Sequence, residues 1–172
     1  NPLPIEDAER PAAVTRAHDP ALSLRGLRRA PMVRGVDLNL MPGEVVGLTG
    51  LVGSGRTEVA RMIFGADRPD GGEMTLDGSP YRPRSVVEAI RKGVALVPEE
   101  RRSQGLFLDK SIDFNVSLPT LRAVRSGPLR LLSSRKRAQR AQAMVRSLDI
   151  KTRSTDTLVR QLSGGNQQKV VM

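Results

Sequence analysis

The chain has 172 residues, enough for one domain with a substantial core. Hydrophobic residues make up 38% and charged residues 27%, cysteine is absent and histidine single, which predicts a soluble globular chain and excludes disulfides, thiolate zinc sites, cysteine nucleophiles and multi-histidine metal centres. The 28 Lys and Arg against 18 Asp and Glu give a net charge of +10, which invites a nucleic-acid reading, but Phe64, Tyr81, Phe107 and Phe114 are too few and scattered for a base-stacking platform.

Residues Asn1 to Pro20, with four prolines and four acids, read as an extended linker, and no charged-then-apolar leader opens them. Ala21–Leu27 and Val36–Leu40 read as strands, and Met41-Pro42-Gly43 as a turn. The apolar run Glu44–Thr49 has the character of a buried parallel strand. It leads through Gly50-Leu51-Val52-Gly53-Ser54-Gly55 into a helix over Arg56–Phe64, stopped by Gly65. A strand is expected over Glu73–Leu76. A helix follows from Ser85 to Lys92, with Ser85 and Glu88 spaced as a capping box and Gly93 as its end.

Val94–Val97 is a second buried-strand candidate, followed by the charged loop Glu99-Glu100-Arg101-Arg102. Adjacent carboxylates on an extended segment face opposite ways, so Glu99 and Glu100 favour a salt-bridged loop over an acid/base pair. From Ile112 to Leu148 the pattern is helical, interrupted at Pro119 and at Gly127-Pro128, with Arg135–Leu148 the longest piece and Arg135–Arg140 a solvated face. Phe107 and Phe114 are expected in the core. No run approaches the roughly 18 apolar residues of a membrane-spanning helix.

Gly50–Thr57 fits the pattern of glycine, four residues, glycine, a basic residue and Ser/Thr, placed between a strand and a helix. Glycines let consecutive N–H groups converge on phosphate oxygens, and the helix N-terminus adds about half a positive charge there. The Thr57 hydroxyl is a hard oxygen ligand suited to Mg²⁺. The basic residue is Arg56 rather than lysine, which replaces a compact ammonium by a planar fork. The alternative is a glycine-rich turn without a ligand. A second motif, Leu162-Ser163-Gly164-Gly165-Asn166-Gln167-Gln168, puts a capping serine and two glycines before a helix. Alone it reads as readily as a flexible turn.

Together the two motifs resemble the Walker A loop and the signature of ATP-binding cassette (ABC) ATPases, over about Ala21 to Met172. GLVGSGRTE, VPEERRSQGL and LSGGNQQK are most similar to the second cassette of bacterial monosaccharide importers of the ribose, galactose and xylose type. The resemblance implies an α/β P-loop NTPase fold: an antiparallel β subdomain, part of a parallel ATP-binding core, and a helical subdomain over about residues 107–160. It also implies a head-to-tail pair of cassettes, with ATP and Mg²⁺ between the Walker A loop of one and the signature of the other. On that reading Gly50, Gly53, Ser54, Gly55, Arg56, Thr57 and Glu58 bind the nucleotide. Thr57 ligates Mg²⁺ with Glu99, which stands at the Q-loop glutamine position, and Ser163, Gly164, Gly165 and Gln167 meet a nucleotide held by the partner cassette.

The implied partners are a second cassette, membrane permease subunits and, indirectly, a sugar-binding protein, at the cytoplasmic face of the bacterial inner membrane. Nucleic acid is not expected as a partner. The resemblance stops after the signature: the segment that carries the Walker B aspartate, catalytic glutamate and switch histidine in such cassettes is not in the sequence. The chain therefore reads as part of a longer protein, and alone it is expected not to turn over ATP. No aromatic lies between Asn1 and Arg56 to stack on adenine. Two other readings stand: a degenerate, non-hydrolysing cassette, and a soluble ABC ATPase acting on nucleic acid or ribosomes.

Overall fold

The computed structural model describes residues 19–121, 125, 126 and 131–172, so most of the expected linker Asn1–Pro20 lies outside the described residues. The chain divides into two compact units, one ending at Ala95 and the other beginning at Leu96.

The first unit is built on an antiparallel sheet in the order β2-β1-β3-β4: β1 (Leu22–Arg29), β2 (Val33–Leu40), β3 (Gly71–Leu76) and β4 (Ser79–Pro80). Alternation alone would carry Leu22, Leu24 and Leu27 to different faces, yet all three are buried. A bulge resolves the conflict. Between Leu24 and Leu27 β1 advances three residues while β2 advances two, from Leu38 to Val36, which re-aims Leu27 at the core. Gly26, at φ 55°, sits in that bulge. Val59 and Met62 on α1 (Arg56–Ile63) cover the same apolar face, with Val33, Met74 and Tyr81.

Polar contacts fix the rim of this core. The Tyr81 hydroxyl donates to the Ile63 carbonyl at 2.8 Å, satisfying a carbonyl at the end of α1 that the helix itself leaves without a partner. Burial raises the Tyr81 phenol above its ordinary pKa. Asp67 accepts from Arg61 at 2.8 and 3.1 Å and from Arg29 at 2.9 Å, tying the loop after α1 to β1. The Arg61 hydrogen bond holds the Asp67 carboxyl below the ordinary carboxylate range, against burial and with added help from the charges of Arg61 and Arg29.

A depressed carboxyl stabilises the fold above its unfolded-state pKa, near 4, and loses that contribution as pH falls through the folded value. Asp67→Asn is therefore expected to cost about 1 kcal/mol at neutral pH, a modest figure because solvent screens both guanidinium groups. Urea midpoints of the variant and parent should converge as pH drops below about 4; a constant gap from pH 7 to 3 would remove the ion pair from the account.

Helix α2 (Val86–Arg91) starts at Ser85, whose Oγ accepts from the Glu88 N–H at 3.3 Å. The Glu88 carboxylate accepts from the Arg84 N–H at 2.9 Å, one residue earlier than the capping box requires. The expected parallel strands are the main departure. Glu44–Thr49 and Val94–Val97 join no ladder among the described residues, and Val45 is 96% exposed. A parallel strand is buried by neighbours on both edges and helices on both faces. No described residue supplies those neighbours.

The second unit holds α3 (Ile112–Ser117), α4 (Ser134–Ser147) and α5 (Gly164–Val171) around Leu106, Ile112, Ile150, Val159 and Val170. The helical reading of Ile112–Leu148 is corrected between the first two helices, where Arg125–Ser126 (β5) pairs antiparallel with Leu131–Leu132 (β6). Gly127-Pro128, where the sequence pattern expects an interruption, lies outside the described residues. Arg137 pairs with Asp113, joining α4 to α3. The Glu99–Arg102 loop leads into one π-type turn, Arg101–Gly105. No helix among the described residues is long and apolar enough to cross a membrane.

Candidate functional site

The phosphate-type loop closes on itself through the Ser54 N–H, which donates to the Leu51 carbonyl at 3.1 Å. Gly50, Gly53 and Ser54 are exposed; Gly55 is buried and caps α1 in the left-handed region, at φ 86° and ψ 7°. A side-chain carbon at Gly55 would lie 3.1 Å from both the Met32 carbonyl oxygen and Val33 Cγ2. The loop thus rests on the β1–β2 turn, and only glycine permits that approach.

The start of α1 differs from the others. Ser85, Ser111, Ser133 and Ser163 each accept a backbone N–H at the head of their helices, whereas Gly55 offers α1 no side-chain acceptor. The positive end of α1 therefore starts from a residue that adds no side chain of its own. Arg56 and Thr57 are exposed on that turn and Glu58 is half-buried. The Arg56 stem folds back so that its Cδ would lie 4.0 Å from a Cβ at Gly50.

In the second unit, Ser163 caps α5: its Oγ accepts from the Asn166 N–H at 3.5 Å and from Asn166 Nδ2 at 3.1 Å. Ser163, Gly164 and Gly165 are exposed, and space around a Cβ at Gly165 is open. Asn166 is anchored through its Oδ1, which accepts from the Lys151 N–H at 3.0 Å. Glu99 is exposed, two residues before the π-type turn.

Gln167 corrects the sequence reading. Its side chain is 2% exposed, and its Nε2 donates to the carbonyls of Val159 and Leu162, both at 3.2 Å. It braces the segment before the signature instead of facing a ligand. Phe107 is corrected the other way: expected in the core, it is 58% exposed and stacks edge-on against Phe114, with centroids 5.7 Å apart. The sequence reading also missed Asn115. Its side chain is buried, accepts from the Phe107 N–H at 2.8 Å, and donates to the carbonyls of Phe107 and Ser111 at 3.1 and 2.9 Å. Its spacing from Ser111 on one helical turn was the available signal.

An antiparallel sheet, a glycine-capped helix after a phosphate-type loop, and a helical unit ending in a serine-capped glycine helix define a P-loop NTPase fold of the ATP-binding cassette kind. The solved cassette MJ0796, a dimer in a post-hydrolysis state bound to ADP and Pi, superposes with a TM-score of 0.67 at 24% identity, covering 87% of this chain and 66% of that one. The cbiO1 structure from Clostridium perfringens, part of the cbiONQ ABC transporter complex, gives 0.67 at 19% identity, over 89% and 59%. The chain belongs to the ABC transporter family, whose sequence profile matches residues 33–172.

Among curated relatives, the ribose import ATP-binding protein RbsA of Pseudomonas putida is 50% identical over 152 residues, 88% of this chain and 29% of that protein. A putative ribose/galactose/methyl galactoside import ATP-binding protein of Rhizobium etli is 44% identical over 154 residues, 90% of this chain and 29% of that one. The chain thus spans about 29% of the length of these relatives.

Proposed function

We propose that the chain is the nucleotide-binding part of an ABC importer for a monosaccharide of the ribose/galactose kind, coupling ATP binding and hydrolysis to uptake through a membrane permease. The observation that carries this reading is the left-handed glycine cap of α1, at the end of the Gly50–Gly55 loop, where Gly55 itself adds no side-chain acceptor. The names of the curated relatives support the transport assignment.

On this reading the loop N–H groups and Arg56 hold the β- and γ-phosphates, and Glu58 continues the first turn of α1. Thr57 supplies a hydroxyl to Mg²⁺. The metal would neutralise phosphate charge when bound. Ser163, Gly164 and Gly165 offer a helix N-terminus to the nucleotide of a second cassette. The permease, that second cassette and a sugar-binding protein are the partners, at the cytoplasmic face of the bacterial inner membrane. Residues 107–160 form the helical subdomain of such a cassette, and residues 1–20 a linker.

Calorimetric titration with ATP, with and without Mg²⁺, tests the site. Mg²⁺ is expected to strengthen binding in the parent, and Thr57→Ala to lose most of that gain while keeping Mg²⁺-free binding. Binding that ignores both Mg²⁺ and Thr57 would sink the proposal. Arg56 favours a second reading, a cassette that binds ATP but does not turn it over; binding without phosphate release in the paired cassettes would select it.

A further inference from the structure

We propose that the first unit carries a second anion site, a cleft formed by two facing Arg-Pro segments that takes a small phosphate-bearing molecule. A cleft of about 400 Å³ is lined by Arg68, Pro69, Arg82, Pro83 and Arg84. It lies past the C-terminal end of α1, whose eight residues separate it by about 12 Å along the helix from the phosphate loop. It is therefore not the nucleotide site.

The lining of this cleft is rich in positive charge. Among the described residues, none of the three guanidinium groups forms an ion pair. The nearby carboxylates already have hydrogen-bond partners in the same unit. Asp67 is held by Arg29 and Arg61, Asp70 accepts the Ala30 N–H at 2.8 Å, and Glu88 accepts the Arg84 N–H at 2.9 Å. Three arginines thus line one volume with no acid among the lining residues.

The walls are also fixed in advance. Arg68 follows Asp67, whose two ion pairs pin the loop to α1 and β1. Arg82 follows Tyr81, whose ring is buried and whose hydroxyl holds the Ile63 carbonyl. Pro83 packs on Gly65 so closely that a Cβ there would sit 3.0 Å from Pro83 Cβ, which ties the Arg82–Arg84 wall to the end of α1. Proline restricts the backbone beside each arginine, so little ordering of the main chain is left for binding.

The ligand class follows from geometry and charge. Guanidinium forks match phosphate oxygens two at a time, and three of them balance a doubly or triply charged group better than a single carboxylate. The volume suits a small organic phosphate. A phospholipid headgroup presents the same chemistry.

Pyrophosphate is the probe, titrated calorimetrically at low salt into the protein carrying Gly55→Asp to disable the phosphate loop. One equivalent is expected to remain. Adding Arg82→Gln and Arg84→Gln should weaken it by about tenfold or more for each guanidinium lost. These exposed substitutions leave the core intact, and parent protein saturated with Mg-ADP provides a second background in which Gly55 is unchanged. An affinity indifferent to the arginines, or no equivalent beyond the phosphate loop, overturns the proposal.

Sedimentation with phosphatidic acid vesicles, against phosphatidylcholine, separates the two sources. Arginine-dependent capture assigns the phosphate to lipid, and soluble binding alone assigns it to a free metabolite. The two sites fail separately: a defective phosphate loop would leave the parent with one arginine-dependent equivalent, and a defective cleft would leave it with one that Gly55→Asp removes.

Discussion

Alanine at position 55 is expected to weaken nucleotide binding more than tenfold and to destabilise the first unit by about 1–3 kcal/mol. Two costs combine at this residue. The backbone stands at φ 86°, a region that a Cβ disfavours by about 1 kcal/mol or more. The added carbon would also meet the Met32 carbonyl and Val33 Cγ2 at 3.1 Å, and neither is a free-swinging side-chain end. Relief requires the loop to lift from the β1–β2 turn, which misdirects the N–H groups at the head of α1. Gly53 supplies the control, because its φ of 81° is equally unusual while nothing lies within 4 Å of its Cβ position. Gly53→Ala should therefore show the backbone cost without the collision. Denaturant midpoints and Mg-ATP titrations on both variants give the comparison. Equal losses at the two positions would show that close approach to Met32 plays no part.

What the sequence made legible is local. The glycine loop between apolar run and helix, the serine caps at Ser85 and Ser163, and the strand pattern around Leu22–Leu40 all rest on contacts a few residues apart. What stayed hidden depends on neighbours distant in the chain. Glu44–Thr49 reads as a buried strand because its composition is apolar, but burial requires adjacent strands, and Val45, Leu51 and Val52 are almost wholly exposed. The bulge at Gly26 escapes a two-residue period because the extra residue exists only relative to β2 and β3. Composition likewise misplaced Phe107, whose ring finds Phe114 at the surface instead of the interior.

The glutamine pair in the second motif shows the same limit and carries the other large effect. Side by side in sequence, Gln167 is 2% exposed while Gln168 is exposed. Removing the Gln167 side chain leaves a buried void, and strips one donor from the Val159 and Leu162 carbonyls. Val159 keeps the Leu162 N–H at 3.1 Å, so the heavier loss falls on Leu162, the residue just before the Ser163 cap. Gln167→Ala is expected to cost about 2–4 kcal/mol, against nearly nothing for Gln168→Ala. Gln167→Met should fall between them. It restores the volume, and it removes the Gln167 Oε1, which is buried without a partner, but it cannot supply the two hydrogen bonds. Urea unfolding of the three variants decides the matter. If Gln167→Ala proves as mild as Gln168→Ala, the buried amide does not brace the signature, and a ligand-facing role for Gln167 regains its place.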